Sequence, residues 1–271
     1  MSNLAAEPGL VDALSHEMTP KFLATRSASG EPNIVPCTSI MPAGDAEGRL
    51  IFGNFLLRKS VGNLDTDARV GILVITTDLE GWVLQGDFQS WQRAGDYVDR
   101  INSTDLLRYN AYTGIRNAGI IEIKAVLRRF QISKLRVLVD YLLARASRTP
   151  AAPGGATVMP LAVRKRFSPM TAVRAMAFLD GAGYPLVAPV LSLQPAGESA
   201  LTCAQGPLAG LMEPLSPGAA VAASLLTLDV VSFQAKGLWL GEHRLLGARM
   251  GAMSVTAVYA GGPPIPGRQV A

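Results

Sequence analysis

LIFGNFLLRKSVGNLDTDARVGILV, residues 50–74, is the stretch on which the reading of this chain turns. A β-rich run closes in Phe52-Gly53-Asn54-Phe55. The basic pair Arg58-Lys59 follows at a turn, a short helical segment carries Asn63, Leu64 and Asp65, and a second apolar strand opens at Arg69. Strand, cationic turn, short helix, strand is a compact way to hold a phosphate. Two fixed cations stand beside the backbone N–H groups of a helix start, where the helix dipole also favours an anion. The plainer reading of the pair is an exposed helix start carrying ordinary solvated charges.

Outward from this stretch, strands dominate. Lys21–Arg26 reads as a strand, 27–32 as a hairpin turn with Gly30 available for positive φ, and Asn33–Met41 as the return strand. A turn at Pro42–Gly48 leads into a strand at Arg49–Gly53, and Arg69–Thr76 and Gly81–Trp91 are strand-like. Gly119–Phe130 alternates through Ile121, Ile123 and Ala125. Helices are expected at residues 7–17 with Leu10, Val11 and Leu14 on one face, and at Asp96–Arg116. A further helix is expected after Ser133, where Leu135, Leu138, Val139 and Leu142 fall at i, i+3, i+4, i+7. Arg148–Thr157, RTPAAPGGAT, has the composition of a linker.

Beyond that linker the chain repeats itself. Gly30-Glu31-Pro32 through Val35-Pro36 aligns with Gly183-Tyr184-Pro185 through Ala188-Pro189 at a spacing of 153, and Ser39 meets Ser192 at the same spacing. Leu64, Val70 and Asp78 meet Leu215, Val221 and Asp229 at 151. Phe22-Leu23 is matched to Phe178-Leu179 at 156, and Leu84-Gln85 to Phe233-Gln234 at 149. A common order with slowly drifting spacing marks a diverged duplication whose turns have changed length. The second copy lacks the chemistry of the first. Arg58, Lys59, Ser60 and Asn63 land on Ala209, Gly210, Leu211 and Pro214, so the second copy reads as a packing partner and not an equal site.

Composition bounds the rest. The chain has 271 residues, 49% apolar and 17% charged, enough to bury a large core, and its 27 glycines and 18 prolines suit a β-rich protein with many turns. Two cysteines make no disulfide framework, and two histidines without nearby cysteines make no metal cluster. The opening residues lack the basic and apolar regions of a signal peptide, and no apolar run reaches the ~18–20 residues of a membrane span. The expected compartment is the cytoplasm, with no membrane partner. Between Lys124 and Arg174 eleven cations face a lone acid, Asp140. Only Phe130, Tyr141 and Phe167 lie among them, too sparse to stack bases, so the region reads as a solvated helix face plus linker and no nucleic acid is expected.

With these residues in view, the chain resembles the flavin-binding split-barrel family that includes pyridoxamine 5′-phosphate oxidase. Phe22-Leu23-Ala24-Thr25, Gly30-Glu31-Pro32 and Val35-Pro36 look like that family's first hairpin. Asn54-Phe55-Leu56-Leu57-Arg58-Lys59 is similar to its Asn-aromatic-x-Ser-Arg-Lys segment, and Asn63-Leu64 and Asp67-Ala68-Arg69-Val70 to the elements that follow. The resemblance covers residues 10–130 well and the second half faintly. It implies an α+β chain, mainly β, built as two tandem copies of an antiparallel six-stranded split barrel. The implied domains are residues 1–147 (FMN-binding), a linker at 148–160, and a diverged second barrel at 161–271.

The resemblance also assigns roles. Arg58 and Lys59 would hold the phosphate of FMN, with Asn63 bracing or capping the helix. The main chain at Pro36, Cys37, Thr38 and Ser39 would run along the isoalloxazine ring. Gln85 or Trp82 would meet the ring or ribityl chain. Leu57 stands where a phosphate-binding serine is usual, with Ser60 as its substitute or weaker phosphate binding as the consequence. The arginine and histidine that bind pyridoxal phosphate in the true oxidase have no evident counterparts. Cys37 reads as a small buried strand residue, and no catalytic residue is assigned. The expected function is an FMN-dependent oxidoreductase acting on a small molecule, because a flavin supplies the electron chemistry and the protein need only bind and tune it. The alternatives are a non-enzymatic flavin binder or scaffold, or a barrel holding a deazaflavin (coenzyme F420) or heme. The expected assembly is a homodimer of chains or an intrachain pseudo-dimer.

Overall fold

A computed structural model describes residues 4–105, 114–147, 156–206, 209–229, 231–262 and 265–271. The described residues form two antiparallel sheets. The first holds β1 (Lys21–Arg26), β2 (Pro32–Pro36), β3 (Met41–Pro42), β4 (Arg49–Gly53), β5 (Arg69–Ile75), β6 (Glu80–Gln92) and β7 (Ala118–Gln131), in the spatial order β2-β1-β5-β6-β7-β4-β3. The second holds β8 (Val173–Leu179), β9 (Pro185–Pro189), β10 (Gln194–Pro195), β11 (Ala200–Ala204), β12 (Ala220–Leu226), β13 (Ser232–Leu245), β14 (Ala248–Ser254) and β15 (Ala257–Ala260). Its order, β9-β8-β12-β13-β14-β11-β10 with β15 also on β13, reproduces the first strand for strand.

The duplication extends to single hydrogen bonds. Ser39 Oγ accepts the Gly53 N–H at 3.0 Å, and Ser192 Oγ accepts the Ala204 N–H at 3.0 Å. The two hairpin turns close alike, with Gly30 at φ +80° and Gly183 at φ +79°, a backbone conformation that favours glycine. Buried Lys21 donates to the carbonyls of His16 and Thr38, and buried Arg174, 153 residues on, donates to those of Pro169 and Leu191, also 153 residues on. Burial pushes Lys21 down to about 8 and Arg174 down to about 10, because desolvation disfavours the charged form.

The strand registers correct two of the expected alignments. Phe22 pairs with Pro36, and Ala175 with Pro189, so Phe22 is equivalent to Ala175 and the spacing of 153 holds through β1 where 156 was expected. Val83 pairs with Leu73 and Gln234 with Ser224, so Gln234 is equivalent to Val83 and Gln85 to Lys236, a spacing of 151 where 149 was expected. Chemical likeness between neighbouring residues had masked the register.

The helices depart most from expectation. α1 (Leu10–Ser15) buries Leu10 and Leu14 but leaves Val11 exposed. α2 (Arg58–Leu64) follows β4. α3 (Asp96–Asn102) is shorter than the helix expected there, of which residues 106–113 lie outside the described residues. The return strand breaks after Pro36, so Cys37–Ile40 form a turn before β3. α4 (Lys134–Ala146) starts where expected, Ser133 Oγ accepting the Arg136 N–H, but its apolar stripe faces outward. Leu135 is 70% exposed and Leu142 54%, while Asp140 and Ala144 are the buried residues. α5 (Leu161–Phe167) and α6 (Ala209–Met212) complete the described helices. Of the expected linker, residues 148–155 lie outside the described residues.

The halves are not independent. Phe22, Ile34, Leu73 and Val83 of the first share one apolar cluster with Met176, Phe178, Val187 and Leu225 of the second. β2 packs on β12 and β8, and β9 on β5 and β1, a reciprocal arrangement like the self-complementary interface of a two-fold dimer. At the seam Gly71 meets the Pro185 carbonyl so closely that a Cβ would stand 2.2 Å from its oxygen. Among the described residues, cations of the 124–174 region form ion pairs that include Lys124 with Asp87, Arg129 with Glu80, Arg136 with Asp140, Arg164 with Glu198 and Arg166 with Asp229.

Candidate functional site

A cleft of about 1370 Å³ lies between the halves. One wall is the turn after β2, with Pro36, Cys37, Thr38 and Ser39. Lys21 holds this turn from behind through the Thr38 carbonyl, and Ser39 ties it to β4. The second wall is the β4–α2 loop, Gly53 to Lys59, in which Leu56 adopts a left-handed φ of +65°. A non-glycine residue rarely takes that conformation, and such residues cluster at functional sites. The third wall comes from the second half: Thr171, Val173, Leu226–Leu228, Ser232, Gln234, Tyr259–Gly262, Pro266 and Gly267.

Arg58 and Lys59 line this cleft, Arg58 exposed and Lys59 half-buried. The Lys59 ammonium lies over the Tyr259 ring. Burial, with Lys236 nearby, pushes Lys59 down to about 8, against the pull of Glu31. Cys37 is buried on the wall with its thiol pushed up to about 11, chiefly by burial, so it is no ready nucleophile.

Four residues considered with these lie elsewhere. Ser60 is fully buried and its Oγ accepts a hydrogen bond from Asn33 Nδ2 at 3.1 Å, so it does not line the cleft as a substitute phosphate hydroxyl. Asn63 donates to Thr25 Oγ1 at 2.9 Å and braces α2 against β1. Trp82 is fully buried in the first-half core. Gln85 is turned to the other half, donating to Asp180 Oδ2 at 2.8 Å. Trp82 and Gln85 are on the same strand but neither is among the lining residues. Leu57, where a serine was looked for, belongs to the same core cluster as Trp82.

Sequence reading missed the second-half wall. It also missed Gln234, which donates to Asn33 Oδ1 at 3.1 Å and to the Ile34 carbonyl at 2.6 Å. The signal was in the repeat: two copies packed reciprocally must lay residues of the second across the cleft of the first. The first half likewise lays α4 across the equivalent cleft of the second. Residues equivalent to Gly53, Asn54 and Phe55 there are Ala204, Gln205 and Gly206. Ala144 packs on Ala204, and a Cβ on Gly206 would lie 2.6 Å from Asp140 Oδ2. Gln194 Nε2 donates to the Tyr141 carbonyl at 2.8 Å. That position is covered by a helix as well as lacking the cations.

The topology and the interbarrel cleft define a tandem split barrel with an open, cation-lined cleft among the described residues. No family model and no curated protein matches the chain. The chain is similar over about half its length to several solved structures. They include an FMN-binding protein from Syntrophomonas wolfei, 19% identical with a TM-score of 0.39, covering 48% of this chain and 88% of that one. HupZ from Group A Streptococcus is 20% identical with a TM-score of 0.36, covering 46% and 91%. HutZ from Vibrio cholerae, described as a heme storage protein, is 13% identical with a TM-score of 0.33, covering 46% and 93%. Each therefore matches about half of this chain. Among the described residues no helix is long and apolar enough to cross a membrane, and no group of side chains could hold a metal ion.

Proposed function

We propose that the cleft binds FMN non-covalently, with Arg58 and Lys59 on its terminal phosphate and the Pro36–Ser39 turn along its ring, and that a small substrate shares the remaining volume. The observation that carries this reading is that the pair of cations and that turn line the same interbarrel cleft. The fit is supported by size and lining. Typical small-ligand pockets span roughly 300–1,000 Å³, and this cleft exceeds them, with walls more apolar than polar and with Asn33, Ser39, Arg116 and Gln234 among the polar side chains that line it. When bound, the flavin supplies hydride or electron transfer. The chain's part is to grip the phosphate, press the ring between the two walls and keep a pocket beside it.

The cation pair suits the phosphate of FMN or of a deazaflavin. The chain's two histidines, His16 and His243, are not among the lining residues, and His243 Nε2 bonds Ser147 Oγ at 2.9 Å. An absorption spectrum of the purified protein separates flavin, coenzyme F420 and heme. Added FMN is expected to bind at one per chain with quenched fluorescence. The double substitution Arg58→Ala, Lys59→Ala is expected to lose it, and unchanged retention would count decisively against this reading. Reduction of bound flavin by a nicotinamide donor in the presence of an acceptor separates an oxidoreductase from a binder.

A further inference from the structure

The anion end of the cleft contains a contact that crosses between the halves. The Lys59 ammonium is 2.7 Å from the centroid of the Tyr259 ring. Tyr259 sits on a strand fixed from both sides. β15 pairs with β13, placing Tyr259 opposite Gln234, and the C-terminal segment folds back to bridge Tyr259 through Gln269. Lys59 makes no ion pair among the described residues, and the charges that act on it, Lys236 and Glu31, pair with each other at 3.3 Å.

That choice of partner has a chemical meaning. A carboxylate would hold the ammonium and cancel its charge. An aromatic face holds it by its quadrupole and leaves the charge available to an anion. The equivalent positions in the covered cleft are Gly210 for Lys59 and Arg128 for Tyr259, so neither ring nor ammonium occurs there. The pair exists only where the cleft is open.

We propose that Tyr259 is a positioning residue of the anion site: its ring holds the Lys59 ammonium at the cleft wall, uncancelled, so that a phosphate monoester is gripped more tightly when the second half supplies that ring. This rests on the reading of the cleft as a phosphate site.

The test compares Tyr259→Phe and Tyr259→Leu with the natural chain by FMN titration and by NMR titration of the Lys59 ammonium in the ligand-free protein, assigned with Lys59→Arg. Phe keeps the ring and is expected to hold FMN within about twofold, with the Lys59 midpoint unmoved. Leu is expected to weaken FMN about 3- to 30-fold, the range a partly desolvated cation–ring contact supports, and to move the midpoint. Tyr259→Met carries the same expectation where Leu does not fold. Natural affinity and an unmoved midpoint in Leu or Met would overturn the proposal, as would equal losses in Phe and Leu. A natural chain that binds no FMN overturns the cofactor reading instead. The Tyr259 role is then decided by the Lys59 titration, with and without inorganic phosphate, in the same variants.

Discussion

Lys59 carries a pH dependence that can be read directly. Its ammonium titrates at about 8 in the ligand-free protein, below the ordinary lysine value, because burial disfavours the charge. An anion needs the protonated form. Affinity for FMN is therefore expected to fall as pH rises through 8, by about tenfold between pH 7 and 9, while Lys59→Arg is expected to stay flat over that range. Equilibrium titrations at pH 7, 8 and 9 check it. The cation pair was legible in the sequence because two adjacent basic residues between apolar strands stand out. The hydroxyl thought to accompany it was not. Ser60 lies on the inward face of α2, where Asn33 takes its oxygen, and only the three-dimensional path of the helix reveals that. Trp82 and Gln85 failed for a related reason. Alternation along β6 tells which residues share a face, but not which face looks into the cleft and which into the core or the other half.

At the scale of elements, a hydrogen-bonded chain ties α2 to the second half: Asn63 to Thr25, Asn33 to Ser60 and Thr25, Gln234 to Asn33 and Ile34. Gln234→Leu would leave the Asn33 Oδ1 and the Ile34 carbonyl without their donor in a buried seam. The expected loss is about 1–3 kcal/mol in urea unfolding, with weaker FMN binding because Asn33 and Gln234 both line the cleft. The strands themselves were largely readable, β1 and β4 to the residue, because short apolar runs bounded by turn residues are local signals, and both strands are buried almost throughout. The orientation of α4 was not. Its i, i+3, i+4, i+7 leucines and valine mimic a core face, yet the helix is seated by Ala144 and by Asp140, which Arg136 neutralises one turn away. Small size and a local ion pair decided the packing, and hydrophobic periodicity alone does not register either.

The whole molecule depends on close backbone approach at the seam between its halves. Gly71→Ala would drive a methyl to 2.2 Å from the Pro185 carbonyl oxygen, and is expected to cost about 1–3 kcal/mol or more in thermal or urea unfolding. Gly62→Ala in α2, where a Cβ meets nothing within 4 Å, is the matched control and is expected to be neutral or stabilising by up to about 1 kcal/mol. The duplication was visible as an ordered set of weak matches, but the true registers at Ala175 and Gln234 emerge only from strand pairing.

Because all three walls described for the open cleft belong to one polypeptide, ligand binding there is expected to withstand dilution. A pocket shared by two separate subunits comes apart when the protein concentration drops below the dissociation constant of the pair, and its apparent affinity sinks with it. Here the partner wall is supplied by the same molecule at a fixed effective concentration, so the grip of the cleft is set by its own side chains even when copies of the protein are scarce.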